Sequence, residues 1–247
     1  MKDFFTLEVA TPDFESTKNA VAGGADRIEL CANLMEGGTT QSYGVIRKCR
    51  EYFDVKIYPI IRVRGGDFFY TDDEYECMLQ DALRCKELGC DGVVIGFLNR
   101  DANIDVSRTA KIVEAVYPLG VTFHRAFDRC LDPFKALEQL AGIGCERILT
   151  SGQQLTAPEG VELIGALNKA AGDRIVIMPG SGVRANNIQQ LAEQTGCKEF
   201  HTSVRELHKS GMAYFPPAFL NNTENDRYTT NIDAVKEVKR KLTEITT

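Results

Sequence analysis

Short apolar runs alternate along the whole chain with stretches in which apolar residues recur every three or four positions. The runs at residues 5–9, 56–62, 120–123 and 174–178 are rich in β-branched and aromatic residues and predict buried strands. Four further strands open on a recurring signature: Gly24-Ala25-Asp26-Arg27-Ile28, Gly89-Cys90-Asp91-Gly92-Val93, Gly144-Cys145-Glu146-Arg147-Ile148 and Gly196-Cys197-Lys198-Glu199-Phe200. Successive copies lie roughly 50 to 65 residues apart, the length of two strand-plus-helix units. In each copy Gly supplies the left-handed turn that ends a helix. A small apolar residue follows, a polar one faces solvent, and the chain enters a strand. Helical periodicity covers residues 14–22, 43–52, 73–88, 106–117, 134–141, 159–171, 187–195 and 232–242, and Thr11-Pro12-Asp13, Thr71-Asp72-Asp73 and Asp132-Pro133 are capping signals.

Eight strands alternating with eight helices predict an α/β fold, a single (β/α)8 TIM barrel, with an open doubly wound sheet as the alternative. The length of 247 residues and the even composition, 43% hydrophobic and 26% charged, fit one domain over 1–247. Residues 209–231, with Pro216-Pro217 and the polar run from Asn221 to Asp226, predict a long loop before the C-terminal helix. A formal charge of −6 with no basic cluster argues against a nucleic-acid partner. No apolar stretch is long enough for a membrane span, and Met1-Lys2-Asp3 leads straight into a strand, leaving no room for a signal peptide, so a cytoplasmic location is expected.

The eight cysteines include no Cys-x-x-Cys pair. Cys90, Cys145 and Cys197 occupy the repeat position that Ala25 fills and read as small buried hydrophobes, far from a barrel's reactive end. Cys49 and Cys85 lie on apolar helix faces, and Cys77 reads as exposed. Cys31 and Cys130 remain as candidate ligands or nucleophiles.

Barrel enzymes carry their reactive groups at the C-terminal ends of the strands. Those ends bear Glu8 on strand 1, Glu29 and Cys31 on strand 2, then Arg62, Arg64 and Asp67 after strand 3. His124, Arg125 and Asp128 follow strand 5, Ser151 follows strand 6, and His201, Thr202 and Ser203 end strand 8. Glu8, Glu29 and His124 are the candidate acid–base catalysts, and the arginines suit a carboxylate or phosphate. The competing reading is a buried structural ion-pair layer. Against it stands the concentration of polar residues at one end, because the opposite ends carry mainly Gly, Cys and solvent-facing charges. After strand 7, Gly180-Ser181-Gly182 leads toward a helix N-terminus. With Arg184, Thr202 and Ser203 it predicts an anion cradle, or else simply a tight turn. It is neither a Walker loop nor a dinucleotide fingerprint, since Gly-Lys-Ser/Thr is absent and the turn does not follow the first strand.

The runs Gly23 to Cys31, Glu36-Gly37-Gly38-Thr39-Thr40, Arg62 to Phe68, Thr122 to Asp128, Glu146 to Gly152 and Ile177 to Arg184 resemble the CutC copper-homeostasis family, over about Phe5 to Ser203. The resemblance implies a cytosolic TIM barrel, a homo-oligomer (dimer or tetramer), and Cu(I) binding through cysteines near the mouth, with Cys31 as the metal residue. Many relatives read Glu-Val-Cys where this chain has Glu8-Val9-Ala10, so the partner thiolate expected for Cys31 is missing; Cys130 or Met178 would replace it only if a loop brought it close. Two classes stay open: a Cu(I)-binding protein, or an enzyme acting on a small phosphorylated or anionic metabolite. A Schiff-base aldolase is disfavoured because Lys56 begins its strand instead of ending it.

Overall fold

The apolar runs close into a barrel in the computed structural model, which describes residues 5–220 and 225–245. Eight parallel strands, β1 (Thr6–Thr11), β2 (Arg27–Leu30), β3 (Lys56–Pro59), β4 (Gly92–Ile95), β5 (Gly120–Phe123), β6 (Arg147–Thr150), β7 (Val176–Pro179) and β8 (Glu199–Thr202), form its wall. Helices α1 (Phe14–Ala22), α2 (Tyr43–Tyr52), α3 (Asp72–Glu87), α4 (Val106–Val116), α5 (Pro133–Ile143), α6 (Val161–Ala171), α7 (Ile188–Thr195) and α8 (Ile232–Thr243) pack outside. β1 pairs with both β2 and β8, which excludes the open-sheet alternative. Two four-stranded halves, β3-β2-β1-β8 and β4-β5-β6-β7, meet at an Ile60–Val94 bridge and where β7 lies against β8.

Three capping signals appear as predicted. Asp13 accepts from the Ser16 amide, Thr71 forms a reciprocal box with Glu74, and Asp132 accepts from the Phe134 and Lys135 amides. Two expectations change. β3 ends at Pro59 because the chain beyond Ile61 turns into a loop held by Arg62. The predicted loop over 209–231 is partly ordered: β9 (Arg205–His208) pairs antiparallel with β10 (Arg227–Thr230). This hairpin is anchored on α1, where Asn19 Nδ2 donates to the Thr230 carbonyl and the Thr230 amide donates to Ser16 Oγ. The readings of residues 1–3 and of 221–224 fall outside the described residues. Among the described residues, no helix is long and apolar enough to cross a membrane.

Alternation along neighbouring strands stacks the barrel interior in layers of four side chains, each layer drawn from alternate strands. The bottom layer is Arg27, Gly92, Arg147 and Glu199. Above it lie Glu8, Tyr58, Thr122 and Met178, then Glu29, Val94, Leu149 and His201, and at the mouth Ala10, Ile60, His124 and Gly180. The bottom layer corrects the reading of the repeat. Its fourth position turns inward at all four copies, and Arg27 and Arg147 are each only 2% exposed. Arg27 bonds Glu8, Glu199 and Met178 Sδ, while Arg147 reaches Glu199, Thr122 Oγ1 and Glu146. Both guanidinium groups stand 5.3 Å from the Tyr58 ring, whose hydroxyl donates to Glu146. Gly92 completes the layer by absence, since a Cβ there would lie 2.1 Å from Tyr58 Cε1. Cys90, Cys145 and Cys197, at the second position of the repeat, are buried core residues.

Candidate functional site

Glu8 ties the bottom of the barrel to the top. One carboxylate oxygen meets Arg27 Nε and the other accepts from His201 Nδ1 at 2.7 Å. Burial alone would raise its pKa. Arg27 and the His201 hydrogen bond overcome that and hold it below the usual carboxylate range. Glu8 therefore remains ionised, and its part is to position His201 instead of carrying a proton. The bond consumes Nδ1, so the imidazole presents Nε2, which stands 3.7 Å from Glu29 Oε2.

Glu29 has no comparable partner. It is buried at the mouth, and burial, reinforced by the charge of Glu8 and opposed by His201, pushes its carboxyl up to about 7. Glu29 and Glu8 in turn raise His201 against the effect of its own burial. Glu29 can therefore take or give a proton near neutral pH, the property a general acid–base group needs.

His124 reaches the same mouth by another route. Its Nδ1 accepts the Ala126 amide at 3.1 Å, and burial followed by the charge of Arg62 pushes it down to about 3. It is a neutral imidazole whose Nε2–H is buried without a partner among the described residues, so it suits donation to a substrate oxygen and does not suit the role of base. Gly96 makes room for it, because a Cβ there would lie 2.2 Å from His124 Cε1.

Glu29, His124 and His201 share a cavity of about 310 Å³ with Arg125, Arg184 and Arg205. Arg184 and Arg205 have no carboxylate partner among the described residues, and burial and Arg205 together lower Arg184. Ser181 and Ser203 lie at the same rim. Ser181 and Gly182 both adopt positive φ (74° and 72°), and their amides donate to no group among the described residues. The Gly180 amide is used, donating to the Thr150 carbonyl. The expected helix N-terminus is not here: α7 starts only at Ile188, and Asn187 instead braces the loop by accepting from the Arg184 amide and donating to the Gly182 carbonyl. Arg184 and Arg205 supply the positive charge instead.

Other candidates serve the loops. Arg64 pairs with Glu74 at 2.5 Å and is spent fastening the β3–α3 loop to the start of α3, so it does not line the mouth. Asp67 sits on an outer rim with Arg64 at 3.2 Å. Asp128 is buried and accepts from Thr150 Oγ1, from Ser151 through both amide and hydroxyl, and from the Gln153 amide; Ser151 and Asp128 in turn fix Arg125. Arg62 is 3% exposed and donates to the carbonyls of Glu36, Gly38 and Gly66. Arg205 and Phe68 were missed by the sequence reading. Arg205 follows the end of β8 by only a few residues, and that position is the signal that marks it; Phe68 lies deeper in the β3–α3 loop, where sequence position gives no such signal.

Cys31 lies fully buried among Ala10, Tyr58, Ile60 and Val94, with Sγ 3.9 Å from Glu29 Oε2. Burial and then Glu29 push its thiol well above the ordinary value, which disfavours a thiolate. Met178 Sδ faces Arg27, and Cys130 Sγ faces Gln153, so neither replaces the missing partner. Among the described residues, no three His, Cys, Asp or Glu side chains form a metal-binding group.

The profile of the CutC family matches residues 5–206. A CutC protein of Parabacteroides distasonis is 53% identical over 209 residues, covering 84% of this chain and 86% of that one. One of Bacteroides fragilis is 46% identical over 249 residues, covering 100% and 99%. A solved structure of CutC from Streptococcus agalactiae, named for copper homeostasis, superposes with a TM-score of 0.77 at 36% identity, covering 80% of this chain and 98% of that one.

Proposed function

The chain belongs to the CutC family, and from that membership together with the chemistry of the mouth we infer that it binds a small phosphorylated or otherwise anionic metabolite and transforms it by acid–base catalysis. One observation carries this reading: a buried carboxyl titrating at about 7 stands in a cavity whose rim arginines have no carboxylate partner among the described residues. Arg184, Arg205 and the free amides of Ser181 and Gly182 hold the anion. Glu29 takes or gives the proton, and His201, oriented by Glu8, tunes Glu29. His124 donates its Nε2–H to the oxygen on which charge develops.

Copper is the competing ligand, because the Streptococcus agalactiae protein carries that name. A Cu(I) site draws on soft thiolate or thioether donors. This mouth offers one thiol held protonated and Ala10 opposite it, so its donor set does not fit the ion. Eight cysteines without a disulfide suit a reducing cytoplasm. The apolar residues exposed on the β9–β10 segment, among them Met212, Tyr214 and Leu220, support self-association into a dimer or tetramer.

The test is a pair of titrations. Inorganic phosphate should raise the melting temperature of the wild type and of Glu29→Gln but not of Arg184→Ala. Anaerobic Cu(I) uptake should be unchanged by Cys31→Ala. Phosphate-independent melting of the wild type, or a loss of bound copper in Cys31→Ala, overturns the reading.

A further inference from the structure

We propose that the substrate is a two-ended anion, with one negative group held at Arg184 and Arg205 and the second at Arg100 and Arg129 across the mouth. This rests on the anion-binding reading above and names the class of molecule that fits it. A second cavity of about 590 Å³ adjoins the first, and Gly37, Phe68 and Arg125 line both, so the two form one continuous space. The β2–α2, β3–α3, β4–α4 and β5–α5 loops wall this second space, where Arg62, Arg100, Arg125 and Arg129 outnumber the acids Glu36 and Asp67. Arg100 and Arg129 are exposed there, and their side chains make no ion pair or hydrogen bond among the described residues.

Arg62 is the more telling group. It is buried in the same wall, its Nε reaches no partner among the described residues, and the guanidinium's hydrogen bonds there go to carbonyl groups. A buried guanidinium with no carboxylate beside it is costly unless an anion supplies the missing charge. The acids on this rim do not supply it: Asp67 is turned to Arg64, and Glu36 is exposed. Phe68 stands at the junction, its ring 5.0 Å from the Arg62 guanidinium and 5.0 Å from the His124 ring. The middle of the ligand therefore passes over an apolar face, beside the imidazole that donates and near the Glu29 carboxyl. Two anionic ends joined by a short carbon backbone match this order of positive, apolar and reactive, and positive surfaces.

Calorimetric titration with inorganic phosphate, α,ω-alkanediol bisphosphates of increasing chain length and the corresponding dicarboxylates tests the proposal. At one chain length the two-ended ligand should bind at least about tenfold tighter than the single anion, because its second end binds intramolecularly. The gain should vanish in Arg100→Ala/Arg129→Ala, whose substitutions are exposed and leave the core intact, while phosphate affinity persists. Which series shows the gain tells phosphate ends from carboxylate ends. A bis-anion no tighter than phosphate at every length, or a gain that survives the double substitution, overturns this proposal alone. Absence of any phosphate binding to the wild type overturns the anion-site reading beneath it.

Discussion

Glu29 holds its proton more tightly in the folded chain than in the unfolded one, with a pKa of about 7 against an ordinary 4.5. The sign follows: its contribution to stability is fully present below 4.5 and is lost as pH rises through about 7. The shift corresponds to about 3 kcal/mol. Glu29→Gln removes the titration and also weakens the support of His201, whose raised pKa runs in the same direction. Wild-type stability should therefore fall between about pH 5 and pH 8 by up to about 3 kcal/mol more than that of the variant, measured by urea unfolding at each pH. Parallel curves would mean that the carboxyl carries no such burden. An acid that loses stability in its working state is the trade expected of a functional group and not of a structural one. The sequence marked Glu8, Glu29 and His124 as a set, because charges inside apolar strands are conspicuous. It could not assign their parts. Those depend on which oxygen of Glu8 meets Arg27 and which meets His201, contacts across neighbouring strands, and on which ring nitrogen of His124 meets the Ala126 amide, a turn geometry that residue identity does not fix.

At the level of elements, the Gly-led repeat announced every second strand correctly but hid the direction of its fourth position. Strands of four residues buried on both faces carry no polar alternation to show which side is the barrel interior. Arg27, Arg147 and Glu199 thus passed among the solvent-facing charges of the strand N-termini, and Gly92 carried no assigned part. Its real role is to leave space for the Tyr58 ring. Gly92→Ala should cost about 1–3 kcal/mol through overpacking against a ring that Glu146 and two guanidinium groups hold in place. Gly44→Ala is the control: it lies in α2 with no heavy atom near its absent Cβ, and it should gain about 0.5–1 kcal/mol from reduced chain entropy. Equal chemical denaturation midpoints for the two variants would contradict the layered interior. The β9–β10 hairpin escaped the sequence reading because its polar residues resemble a linker, and its anchors, Ser16 and Asn19, lie more than two hundred residues earlier.

For the molecule as a whole, the layer of Arg27, Arg147 and Glu199 under Tyr58 stoppers the bottom of the barrel among the described residues, so the proposed reaction chamber opens at the mouth. If the proposed reaction takes place beside Glu29, its product departs through the opening by which the precursor arrived, and the next molecule enters only after it has gone. Traffic of this kind makes the outgoing compound a direct rival of the incoming one. Added product should raise KM and leave kcat unchanged in initial-rate measurements, whereas a fall in kcat would require a separate place for it to rest. The same arrangement ties throughput to the rate of departure, so flux in a cell would follow how fast the next consumer clears the product as much as the supply of starting material.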